Sequence, residues 1–306
     1  MPPRLCSLEI QTPLATSFHL LITLLVAVSY IPQLIQIIND SSTAGISGWY
    51  IILLTISAIT HFATRLKSLY SITPWACFRH GELKGFDLFS SLVVHIQAFT
   101  HWLAALILLS VYVWFHNHPE TNQRNDTGST PSTTTILAIV LTHLAIILPP
   151  AIYLLHLLTL TEDDDTNIIA INILYGAALR TTGTLTSLTA AIPQIHLMVS
   201  RYQQFGDTFD QGSLSLLGLG LQVLAFTALG ISQGWRMRER QLPAPPGPRP
   251  DHEIWIPQIT VWSWDWWYGF FVLRGLAAGW FMLAGCQLVV LAVALGLGGQ
   301  DGGVKV

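Results

Sequence analysis

Seven long apolar runs, at positions 18–38, 46–64, 88–115, 135–160, 168–198, 213–235 and 267–295, alternate with short polar connectors along the chain. Each run reaches the roughly 20 residues that a helix needs to cross the hydrocarbon core of a bilayer. The pattern therefore predicts seven membrane helices. The connectors differ in character. The stretch 65–87 is moderately basic, and 116–134 is polar and Ser/Thr-rich with no periodicity. Between the fourth and fifth runs stands the acidic series Glu162-Asp163-Asp164-Asp165. The connector 236–262 holds Pro243, Pro245, Pro246, Pro248 and Pro250 and is predicted to be an extended surface loop. Positions 1–17 read as an N-terminal tail, and the Gly-rich 297–306 as a flexible one.

Composition agrees with an all-α integral membrane fold. Hydrophobic residues make up 51% of the chain and charged residues 10%, against about 25% charged in soluble domains. A net charge of −3 gives no surface for nucleic acid. Cys6, Cys77 and Cys286 are odd in number and scattered, so neither a disulfide framework nor a metal cluster is expected. No cofactor motif is recognisable. The first apolar run, interrupted by Pro32, reads as a retained helix and not as a cleaved leader.

Two interruptions organise the chain. Pro32-Gln33 and Pro193-Gln194 stand near the ends of the first and fifth runs, 161 positions apart (193 − 32). Each is followed by a short polar stretch and a Gly/Ser restart: Gly45-Ile46-Ser47 after the first, Gly212-Ser213-Leu214-Ser215 after the second. The third helix of each half opens on an aromatic–Asp step, Phe86-Asp87 and Trp264-Asp265. These correspondences predict a first three-helix repeat over 18–115, a linker helix over 135–160 and a second repeat over 167–296. With one helix between them, the repeats run parallel. A proline inside a membrane helix frees a carbonyl that protein or a water-filled cavity must satisfy. Two such sites in matching modules point to a shared chamber.

On these residues the chain resembles the PQ-loop repeat family, which includes cystinosin, vacuolar and lysosomal cationic amino-acid exporters, and more distantly the SWEET proteins and the KDEL receptor. The resemblance covers both three-helix units. It implies a carrier in which Pro32 and Pro193 are hinges, and Gln33 and Gln194 satisfy opened backbone beside the chamber. One feature departs from the proton-coupled members: Asp87, Asp207, Asp210 and Asp265 all lie at helix edges.

Candidate chemistry follows from ionisable groups placed in apolar runs, which are functional candidates by default. Arg180 lies well inside the fifth run and Arg274 about two turns into the seventh. Two guanidinium groups facing one chamber suit a carboxylate or phosphate. Asn172, Tyr175, Thr182, Thr186, Thr189 and Pro193 recur at helical spacing and form a polar stripe. His61 and Arg65 are four residues apart on one face, as are Gln97 and His101. Histidine titrates near neutrality and could relay a proton. The expected binding set is Gln33, Gln194, Arg180, Thr182, Thr186, Arg274 and His61, for a small organic solute, anionic or amino-acid-like.

A second reading is an integral-membrane enzyme, such as a terpene cyclase or isomerase, acting on a lipid-like substrate. It would use Asp87 and Asp265 as acids, with Trp264, Trp266 and Trp267 shielding a cation. The aromatic series from Trp262 to Tyr268 also suits an interfacial belt. Basic residues concentrate in connectors on the N-terminal side, Arg65, Lys67, Arg236, Arg238 and Arg240 among them, which places that side in the cytosol. The sequon at Asn125 falls on the opposite, lumenal side and is the expected glycosylation site. The family resemblance implies the reverse orientation. An internal membrane, vacuolar, lysosomal or of the endoplasmic reticulum, is expected. Membrane lipid is the expected surrounding partner, and oligomeric state stays open.

Overall fold

A computed structural model describes residues 11–71, 84–116, 131–160, 166–205, 214–240 and 275–299. Among these the chain is all-helical, with seven helices: α1 Pro13–Asp40, α2 Gly48–Ser71, α3 Phe86–His116, α4 Thr133–Leu160, α5 Thr166–Phe205, α6 Leu216–Arg240 and α7 Gly275–Gly299. Asn125, Trp264, Asp265, Trp266, Trp267 and Arg274, the acidic series and positions 241–262 of the proline-rich connector lie outside the described residues, while 236–240, expected as loop, continue α6.

Six of the seven are long and apolar enough to cross a membrane. The exception is α5, where Arg180 and the threonines between Thr181 and Thr189 dilute a 40-residue helix. This is a multi-pass integral membrane protein. Rows of large apolar side chains face outward, as on Leu21, Leu24, Ile31 and Ile35 of α1. That is expected where the surrounding solvent is lipid.

Local chemistry sets the helix ends. Thr12 caps α1, its hydroxyl accepting from the Ala15 N–H, and Pro13 opens the first turn, where a missing N–H costs nothing. Ser41 ends α1 in the left-handed region, with φ 47°. The segment that follows turns back into the protein: Thr43, Gly45, Ile46, Ser47 and Gly48 are all buried. Gly45 has φ 90°, which a side chain would oppose. Ser215 caps α6, accepting from the Gly218 N–H at 3.1 Å.

Helix order within each half is not sequential. In the first repeat α3 packs against both α1 and α2, and in the second α7 packs against both α5 and α6. Across the halves, α1 packs on α6 and α2 on α5. Following these neighbours gives a closed ring, α1–α3–α2–α5–α7–α6 and back to α1. One continuous core runs through both repeats. Helix α4 stands outside the ring against α2. It is tied there by Thr60 Oγ1 and His143 Nε2 at 3.1 Å, and to α5 by the Tyr175 hydroxyl, which donates to the Ile147 carbonyl at 2.5 Å.

Small residues let α2 and α5 approach. The face of α5 turned inward carries Leu179, Gly183, Ser187, Ala190, Gln194 and Met198, all buried. A Cβ on Gly183 would stand 3.3 Å from Thr60 Cγ2, whereas one on Gly220 would meet nothing within 4 Å. Gly183→Leu should therefore destabilise the protein by about 1–3 kcal/mol through overpacking. Gly220→Leu should change stability little. Thermal unfolding of the two variants in detergent measures the difference.

Candidate functional site

Each Pro-Gln glutamine reaches out of its own repeat and holds the restart of the other. Gln33 of α1 is buried, and its Oε1 accepts the Ser215 N–H at 2.9 Å. Gln194 of α5 is fully buried, and its Oε1 accepts the Ser47 N–H at 2.8 Å. Its Nε2 also donates to the Gly45 carbonyl at 2.7 Å. The physical need is plain. A helix start leaves backbone N–H groups without intrahelical partners. These two starts are buried, so a side-chain acceptor must come from elsewhere, and a carbonyl there also meets the positive end of the helix dipole. Both helices continue past their prolines, so Pro32 and Pro193 lie inside α1 and α5.

Inside the ring, side chains cross from helix to non-adjacent helix in layers. Toward the N-terminal face, Arg65 of α2 donates from Nη2 to Gln233 Oε1 of α6 at 2.6 Å. The two residues occupy equivalent positions, each eighteen after its restart serine (65 − 47 and 233 − 215). The bond therefore spans the two repeats at matching points. In the middle layer Trp280 of α7 stacks on His61 of α2 at 4.7 Å and meets His101 of α3 edge-on at 5.2 Å. Phe226 of α6 closes the same group at 5.2 Å from His101. Tyr30 of α1 brings its hydroxyl to 3.0 Å from His101 Nδ1. Toward the opposite face the Tyr50 hydroxyl donates to Gln287 Oε1 at 2.9 Å, and Ser57 and Ser187 hydroxyls lie 2.6 Å apart. Cys286 donates its thiol to the Ser187 carbonyl at 2.8 Å. Side chains thus cross the lumen at three depths.

The structure brings together only part of the expected set. Gln33, Gln194 and His61 are buried at the junction of the repeats. Thr182 and Thr186 are half-buried beside the Gly183–Ser187 face. Thr186 spends its hydroxyl proton on its own helix, at the Thr182 carbonyl. Thr189, in the same stripe, is exposed. Arg180 is half-buried, with its Nε donating to the Gly176 carbonyl 3.0 Å away. Lys67 of α2 crowds the same glycine, which leaves room for it by lacking a Cβ. Asp87 is half-buried in the first turn of α3, at the N-terminal end of that helix. Among the described residues no group of His, Cys, Asp or Glu could hold a metal ion.

Sequence reasoning passed over Tyr30, Gln233 and Trp280. Tyr30 stands one turn before Gln33, and Gln233 matches Arg65 once the restart serines are aligned. Trp280 had no such signal.

Removing either glutamine strands a buried backbone N–H, which costs about 1–3 kcal/mol. Gln33→Ala and Gln194→Ala should each lower the unfolding midpoint in detergent. Gln194→Glu keeps the acceptor for Ser47, but as a carboxylate it turns a second oxygen on the Gly45 carbonyl. Its protonated form restores the donor. The Glu variant should gain stability relative to the unsubstituted protein as pH falls from 8 to 5, read by thermal unfolding at each pH.

No curated protein matches the chain. The PQ loop repeat family matches residues 14–72, which comprise α1, the buried restart at Gly45–Gly48 and α2. The same Pro-Gln and restart geometry recurs in α5 and α6. Residues 14–72 thus match a PQ loop repeat, set in a chain whose described residues are all-helical and hold six helices long and apolar enough to cross a membrane.

Proposed function

We propose that the protein is a carrier of a small organic solute across an internal membrane, working by alternating access through the lumen of the six-helix ring. One observation supports the reading most. Two three-helix repeats meet around a common axis, and polar bonds between non-adjacent helices cross that axis at separate depths. Ionisable groups set inside a membrane bundle are functional candidates by default, and Arg65 stands in one of these bonds.

Arg65–Gln233 closes the lumen toward the N-terminal face, and Tyr50–Gln287 closes it toward the other. The aromatic layer between them occupies the place of the solute in this closed state. Opening toward one face breaks one bridge while the other holds. The repeats rock as bodies, because each is cross-braced by its own third helix. Pro32 and Pro193 lie where α1 and α5 lack one backbone hydrogen bond, so bending costs least there. The Gln33–Ser215 and Gln194–Ser47 contacts keep the halves engaged during that movement.

The test uses proteoliposomes and a panel of radiolabelled amino acids, sugars and carboxylates. The cysteines of the chain are replaced, Tyr50 and Gln287 of the opposite bridge become cysteine, and a bis-methanethiosulfonate spacer links them. Saturable counterflow of at least one solute should fall to background on cross-linking and return with dithiothreitol. Flux that survives complete cross-linking, or no flux of any solute by folded protein, would rule out the lumen as a path.

A further inference from the structure

The middle layer of the lumen sets two imidazoles against one indole. His61 lies nearly parallel to Trp280, with 14° between the planes, and His101 meets the same indole at 70°. Both histidines are at least nine-tenths buried. The Nε2 atom of each has no hydrogen-bond partner among the described residues. We assign the His101 tautomer from its neighbour: a Tyr30 hydroxyl that donates to Nδ1, 3.0 Å away, leaves the ring proton on Nε2. A buried N–H donor thus stands without an acceptor, a condition that native interiors rarely tolerate without a use.

The charge pattern narrows what would satisfy it. The buried ionisable groups among the described residues are His19, His61, His101, Cys286, Tyr30, Tyr50, Tyr112 and Arg65, the last one turn from His61 on α2. No Asp or Glu is among them. Trp280 and Phe226, 26° from parallel, add flat apolar walls.

We propose that this layer binds a planar organic anion. Its carboxylate accepts from His101 Nε2–H and from the Arg65 guanidinium, and its flat body lies against the Trp280 indole. Arg65 suits the role because its planar fork matches a carboxylate. The ligand enters between His61 and Trp280, which now touch. His61 belongs to the first repeat and Trp280 to the second, and the His61 ring fills the space that a Cβ on Gly279 would take. Insertion therefore has to part the repeats, which ties occupancy to their movement. Arg180, the cation that the sequence favoured for this role, packs at the α2–α5 seam instead.

The proposal names the substrate class of the lumen and rests on the carrier reading. Its test is calorimetric binding to the full chain in nanodiscs, with benzoate as probe and benzamide as its uncharged counterpart. Benzoate should bind saturably and at least tenfold more tightly than benzamide. His101→Phe and Arg65→Gln should each weaken benzoate at least tenfold and leave benzamide unchanged. His101→Gln, which restores an N–H donor, should recover part of the loss and guards against a folding defect. Equal affinity for the two probes, no benzoate binding by folded protein, or benzoate binding that survives both substitutions would overturn it. Counterflow separates this from the underlying reading. Benzoate binding without any flux leaves the anion site and removes the carrier. Flux of another solute without benzoate binding leaves the carrier and removes the anion site.

Discussion

The buried starts of α2 and α6 are the constraint on which the rest of the structure depends. A helix that begins inside a membrane protein exposes backbone N–H groups with no water to satisfy them. Neither repeat supplies the acceptor for the N–H of its own restart serine. The Gln194 amide from the second repeat serves Ser47, and the Gln33 amide from the first serves Ser215. Each half is therefore incomplete alone. The exchange fixes how the halves face one another, and that orientation places α2 opposite α6 and α3 opposite α7 around the lumen.

The order of helices within a repeat follows from the same arrangement. If α1 lay directly against α2, Gln33 would be nearest its own restart. With α3 between them, α1 is free to pack on α6 and α2 on α5, and the glutamines cross. Proline immediately before each glutamine then has a local meaning. It removes a backbone donor from the turn that presents the glutamine and so loosens that turn. A flexible point and a fixed anchor sit on adjacent residues, which suits a device that must bend without coming apart.

Much of this was legible in the sequence, and the limits have physical causes. Seven apolar runs gave seven helices, because hydrophobic length is the dominant signal in a bilayer. The second helix begins at Gly48, two residues later than expected, because Ile46 and Ser47 belong to the buried restart. The Pro-Gln pairs marked the junction, but their partners are backbone groups of the opposite repeat, more than 140 residues away. No local pattern encodes a backbone acceptor or donor at that distance. The His61–Arg65 spacing was visible, and both side chains do face the interior. The helical stripe of threonines need not mark a chamber, for a simple reason. A threonine can return its hydroxyl to its own helix, as Thr186 does, so a polar face need not face anything polar. The inward face of α5 is instead the small-residue face through Gly183 and Ser187.

Residue-resolved amide exchange of the full chain in nanodiscs tests the crossed exchange of glutamines most directly. The Ser47 and Ser215 amides should both be strongly protected. Gln194→Ala should speed exchange at Ser47 and leave Ser215 protected, and Gln33→Ala should do the opposite. Faster exchange at the restart of the substituted repeat itself, or no change at either serine, would contradict the account.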